Sequence, residues 1–170
     1  MTNTDTNAFI DILRQQLTNA PEGVDTSALA AAIDALAAIG WQADGDVAAA
    51  MVHLAAENWA ALVDVGEAAV PLLARTATET ERDKVSIERR VHAVNGLMAI
   101  GEQNGAKLVH DAIIPALEDI GGPVRSAAAK ACGRLGFLED PLIAIAMDDP
   151  FEHAQISALA SLGRVGKPEM

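Results

Sequence analysis

The chain has 170 residues, 51% of them apolar but only 3% aromatic, with no tyrosine, three Phe and two Trp. An alanine-rich, aromatic-poor composition is that of an all-α domain, and the length is that of a single domain. The 24 acidic against 12 basic residues leave a net charge of −12, which argues against nucleic acid and anionic membranes as partners, since phosphate contacts need a basic surface.

Met1 to Asn7 is polar and reads as a frayed tail without a signal peptide. Phe9, Ile12, Leu13 and Leu17 share one helical face, and this helix ends before Pro21. Asp25, Thr26 and Ser27 offer caps for a second helix with a stripe of Leu29, Ile33, Leu36 and Ile39, stopped by Gly40. After a turn at 41–45, helices are expected over Val47 to about Ala56, Trp59 to Val65 and Glu67 to about Ala77, with a break at Asn58. Glu79 to Arg90 holds eight charged residues in twelve and reads as a solvated loop or helix start. A helix ending near Ile100 follows, then one over Lys107 to Ile120 with Leu108, Ile113, Leu117 and Ile120 inward. Gly121-Gly122-Pro123 is a sharp break, with Pro123 suited to a first helical turn. Helices over Val124 to Leu135, Leu138 to about Met147 and Phe151 to Leu162 complete the chain. No stretch of about 18 apolar residues could span a bilayer, and the single Cys132 excludes an internal disulfide framework. A soluble, cytoplasmic protein is expected.

One short phrase returns five times: a small residue, an apolar residue, two variable residues, an aliphatic residue, then glycine. The copies are 35–40, 61–66, 96–101, 131–136 and 158–163, so the glycines lie 26, 35, 35 and 27 residues apart. Such periods imply stacked units that are each too small to bury their own apolar face. Cys132 stands where the other copies have Leu and reads as a small core residue. A proline follows five residues after Gly66, Gly136 and Gly163, and Pro115 plays the same part in the middle unit.

A helix ending in aliphatic-Gly, a short turn, and a second helix with proline near its start resembles the HEAT repeat. Residues 122–136, with Pro123-Val124-Arg125 opening an alanine-rich helix, look like the bacterial HEAT-like repeats first named from phycobilin lyases. The resemblance implies a right-handed α-α superhelix over 27–170, preceded by an N-terminal tail and helix over 1–26. It also implies a ladder in which Arg125 pairs with an acidic residue of the preceding repeat, Glu118 or Asp119. Phe151-Glu152 does not match that ladder, which should be interrupted there. Gly163 to Pro168 has the spacing that opens an outer helix, yet the sequence given stops at Met170. The expectation is a last repeat without its outer helix, its stacking face covered by a second copy through Leu159 and Leu162, by a partner, or by residues of a longer chain.

No catalytic, cofactor or metal site is expected. His53 and Glu57 are four apart, but a zinc site needs three or four ligands and no third is placed by spacing. Phosphate loops and nucleophile elbows are missing from the sequence. The expected function is a non-catalytic protein-protein interaction scaffold. In a HEAT stack the second helices line the concave face, which here offers Arg75, Lys107, His110, Asp111, Glu118 and Asp148. The alternatives are a bilin lyase or chaperone-like subunit, implied by the resemblance alone, and a structural homodimer.

Overall fold

The computed structural model describes residues 45–165, and within them every regular element is helical. The expected helices over 9–20 and 27–39, the stop at Gly40, Trp41, and the residues beyond Val165 lie outside the described residues. The α-helices are α1 (Asp46–Ala55), α2 (Trp59–Val65), α3 (Val70–Ala77), α4 (Lys84–Asn104), α5 (His110–Ile113), α6 (Gly122–Leu135), α7 (Asp140–Asp148) and α8 (Glu152–Val165). Short 3-10 turns occupy Gly66–Ala69, Ala106–Leu108 and Ile114–Glu118.

These elements form two rows. Helices α2, α4, α6 and α8 pack side by side in that order. In the second row α3 packs on α5, and the Ile114–Glu118 turn packs on α7. Across the rows α3 meets α4, the Ile114–Glu118 turn meets α6, and α7 meets α8. One core runs between the rows through Leu62, Leu73, Leu97, Ile100, Ile113, Leu117, Val124 and Leu142. Cys132 belongs to it and is fully buried, as expected, and burial pushes its thiol up to about 12.

Local sequence explains most boundaries. Asn58 caps α2 by accepting the Ala61 N–H at 3.2 Å, and Asp83 caps α4 by accepting the Ser86 N–H at 3.0 Å. The break before α2 falls where expected, with Glu57 in the left-handed region (φ 50°) and Asn58 following it as the cap. Pro123 sits in the first turn of α6, where its missing N–H costs no hydrogen bond. The single helix expected over Lys107 to Ile120 is instead three short pieces, and Pro115, which has no N–H for a continuous ladder, stands where the second gives way to the third. Ile120 consequently lies beyond the last piece and is 54% exposed rather than inward.

The repeated glycines do three different jobs. Gly136 ends α6 in the left-handed region at φ 80°, as the phrase suggests, and Gly66 follows α2 at φ 74°. Gly101 ends nothing: α4 continues to Asn104, and Gly105 supplies the cap. A Cβ on Gly101 would lie 2.6 Å from Val109 Cγ2, so this glycine admits the second row. Gly163 lies within α8 and faces open space.

Candidate functional site

Two arginines dominate the polar interior, and both carry the same clamp. Arg90, fully buried on α4, donates from Nε and Nη2 to the two Asp119 carboxylate oxygens at 2.8 and 3.1 Å. Its Nη1 donates back to the Glu81 carbonyl at 2.7 Å and to Ser86 Oγ at 3.1 Å. Arg125 on α6 does the same with Asp149, at 2.6 and 2.7 Å, and its Nη1 reaches the Asp119 carbonyl at 2.7 Å. Each aspartate in turn accepts the backbone N–H two residues on, Gly121 at 2.6 Å and Phe151 at 2.8 Å. Each arginine therefore fixes the loop before its own helix to the loop before the next first-row helix. Bidentate, charge-assisted pairs of this kind are geometrically the most demanding in proteins.

The direction of this ladder corrects the expectation. Arg125 pairs forward with Asp149, while the Asp119 carboxylate belongs to Arg90 and gives Arg125 only its main-chain carbonyl. Glu118 stays exposed. A carboxylate that already accepts a guanidinium edge-on and a backbone N–H has no free edge for a second arginine. The Arg125 guanidinium beside Asp149 holds that carboxyl below its ordinary value, and Asp149 in turn raises Arg125.

The segment expected to be solvated hides more charge. The Glu79 side chain is 4% exposed, with Arg89 Nη2 at 3.3 Å. Burial raises the Glu79 carboxyl against the opposing pull of Arg89. Arg89 Nε is buried without a hydrogen-bond partner; Glu57 Oε1 stands 3.5 Å away, within ion-pair range but outside hydrogen-bond geometry. This contact also corrects the His53–Glu57 pairing. Helix α1 ends at Ala55, so Glu57 leaves the face that carries His53 and turns to Arg89. Among the described residues no group of three or more His, Cys, Asp and Glu could hold a metal ion.

Of the six residues expected on the contact face, the structure brings one pair together. His110 opens α5 with Nδ1 2.8 Å from Asp111 Oδ1 and Nε2 2.9 Å from Glu139 Oε1. A carboxylate only accepts and a neutral imidazole has one N–H, so satisfying both contacts requires the imidazolium. Those two hydrogen bonds, with Asp111 first, raise the His110 pKa, and Phe137 meets the ring edge-on at 4.7 Å. Glu139 was not foreseen; it precedes α7 and is 29 residues from His110, a separation at which spacing carries no signal. Arg75 is half-buried on α3, whereas Lys107 and Asp148 are exposed. Glu118 lines a cleft of about 360 Å³ between the 77–82 loop and residues 115–120, with Glu79, Asp119 and Arg82. Two of its three carboxylates are already engaged, Asp119 by Arg90 and Glu79 by Arg89, which leaves Glu118 and Arg82 as the exposed charges of that cleft. Trp59 stacks on His92, their centroids 5.3 Å apart, and packs against the core.

No protein-family model matches the sequence, and no curated protein or solved structure does. No helix among the described residues is long and apolar enough to cross a membrane.

Proposed function

We propose that this chain is a HEAT-like solenoid acting as a non-catalytic protein-protein interaction scaffold, with its second row as the contact face. The observation that carries this reading is the repetition of one clamp, Arg90 on Asp119 and Arg125 on Asp149. Two successive units held by the same contacts keep a constant offset, so the polar residues of the second row stand on a preformed surface. A preformed surface binds with less loss of side-chain and loop freedom than one that must order on contact. The net charge of −12 favours a partner segment bearing lysine or arginine.

A photo-crosslinking residue at Lys107, exposed in the turn that leads into second-row α5, tests this against one at Lys130, exposed on the first-row helix α6. In cells, a discrete covalent adduct is expected from position 107 and none from position 130. Equal labelling from both, or from neither, would refute the assignment.

A further inference from the structure

Four large apolar side chains on the last two helices are exposed: Ile143, Met147, Ile156 and Leu159, at 48, 69, 53 and 56%. They are not scattered. Leu159 is the second residue of its phrase, a position filled elsewhere by Leu62, Leu97 and Cys132, all at 0%. Ile156 stands two residues before its phrase, where Val94 and Ala129 are at 0%. Ile143 lies two residues after its proline, as do Leu73 at 0% and Leu117 at 1%, and Met147 corresponds to Ala77 at 1%. All four therefore occupy stacking positions, which within the chain receive the next unit.

The neighbouring helix shows how such a face is covered. On α6, Ser126 Oγ lies 2.9 Å from Ser157 Oγ, and the Ala129 carbonyl accepts Ser161 Oγ–H at 2.8 Å. A Cβ on Gly133 would sit 2.7 Å from Ser161 Cα, so the two helices touch backbone to side chain. The matching residues of α8 are His153, Ile156 and Ala160, and all three are exposed. Leu162, by contrast, is half-buried against the core and does not belong to this face.

Charge decides between the ways of covering it. The arginine of the clamp stands six residues before the phrase, at Arg90 and Arg125; in α8 that position is Glu152. A unit stacked in the same direction as its predecessors would bring its aspartate against this glutamate, a like-charge contact. Twelve residues on, near the end of α8, stands Arg164. Both are exposed, and neither has an ion-pair partner among the described residues. Glu152 with Arg164 and Ile156 with Ala160 share one midpoint, at residue 158. Two α8 helices laid antiparallel about a twofold axis at that level bring each Glu152 to the other copy's Arg164. Each Ile156 then meets Ala160, where the side chain is small. Such a closed contact is self-complementary, whereas a head-to-tail one would propagate, and the antiparallel arrangement also opposes the helix dipoles favourably. We infer that the α7–α8 face is the interface of a symmetric homodimer, formed by antiparallel pairing of α8 through Ile156 and Leu159 and bracketed by Glu152–Arg164 ion pairs. The two surfaces share only α7, and Lys107 lies on neither α7 nor α8, so cross-linking at Lys107 and the dimer can fail independently.

The test is the solution mass of the full chain by light scattering, from low micromolar to several hundred micromolar. A mass of twice 17.7 kDa is expected at the upper end. Leu159→Glu and, separately, Ile156→Lys should return the single mass while keeping the helical circular-dichroism spectrum, since both side chains are exposed in one copy. Glu152→Arg and Arg164→Glu should each weaken the dimer about tenfold, two ion pairs being lost per dimer, and the two together should restore it. A single mass throughout the range, a dimer that survives Leu159→Glu, or a double reversal that fails to restore association would overturn the inference.

Discussion

Two segments of this molecule invert the usual arrangement, and in opposite senses. From Glu79 to Arg90 the chain is mostly charged, yet Glu79 and Arg90 are buried and Arg89 nearly so. From Ile143 to Leu159 it is rich in aliphatic residues, yet four of them face outward. In the first segment each buried charge is matched by a partner placed 10 or 29 residues away, Arg89 by Glu79 and Arg90 by Asp119. In the second, the residues are ordinary core types at ordinary core positions, and what they lack among the described residues is the next layer. Burial among these packed helices is thus decided by which neighbour arrives, not by side-chain polarity alone.

Removing one half of a buried pair is the harshest way to break this contrast. Arg90→Ala leaves the Asp119 carboxylate, 8% exposed, facing a void where a guanidinium stood. The expected loss is about 3 to 5 kcal/mol of unfolding free energy, read from urea denaturation, because an uncompensated buried charge is left behind. Little change on this substitution would mean that the clamp is ornamental to the stack.

Acidity sharpens the comparison at the surface end of the polar network. The folded-state pKa of His110 is raised, so its contribution is full below the unfolded value near 6.5 and is lost as pH rises through the folded value. Asp149 is shifted the other way: its contribution is present above the unfolded value near 3.8 and is lost as pH falls through the lowered folded one. The urea midpoint should therefore fall from pH 6 toward pH 8, and His110→Gln should flatten that slope. Asp149→Asn should instead lessen the loss on acidification below pH 4. An unchanged alkaline slope in His110→Gln would show that the His110–Glu139 bridge does not hold α5 to the loop before α7.

The smallest effect is expected from the inverted apolar segment. Ile143→Ser should change the stability of a single copy by only about 0.5 kcal/mol or less, since the side chain is 48% exposed. Measured at a concentration where only single copies exist, a loss several times larger would show that this side chain is covered after all.

How far the sequence reached can be judged at individual residues. Helix starts at Asn58 and Pro123 were legible, because capping and proline chemistry act within a few residues. The core place of Cys132 was legible from repetition, which reports on position whatever the side chain. The resemblance implied a ladder but aimed it at the wrong unit: it pairs Arg125 with Glu118 or Asp119 of the preceding repeat, whereas the carboxylate Arg125 holds is that of Asp149, twenty-four residues on. Glu139 beside His110, and the burial of Glu79, carried no local signal at all. Gly101 shows a subtler failure, since the phrase marks a small residue there without saying whether it ends a helix or admits a neighbour.

By itself the sequence determined an acidic chain whose described residues are helical and along which one short phrase recurs, because period, composition and caps are properties of neighbouring residues. Only the tertiary structure decided which arginine holds which aspartate and which glycine makes room for a helix. It also decided which leucine of a repeated phrase is inside and which is out. The arginine pairings depend on contacts between residues 24 and 29 apart in the chain, and in every case the free energy of a charge or a methyl group is set by what packs against it.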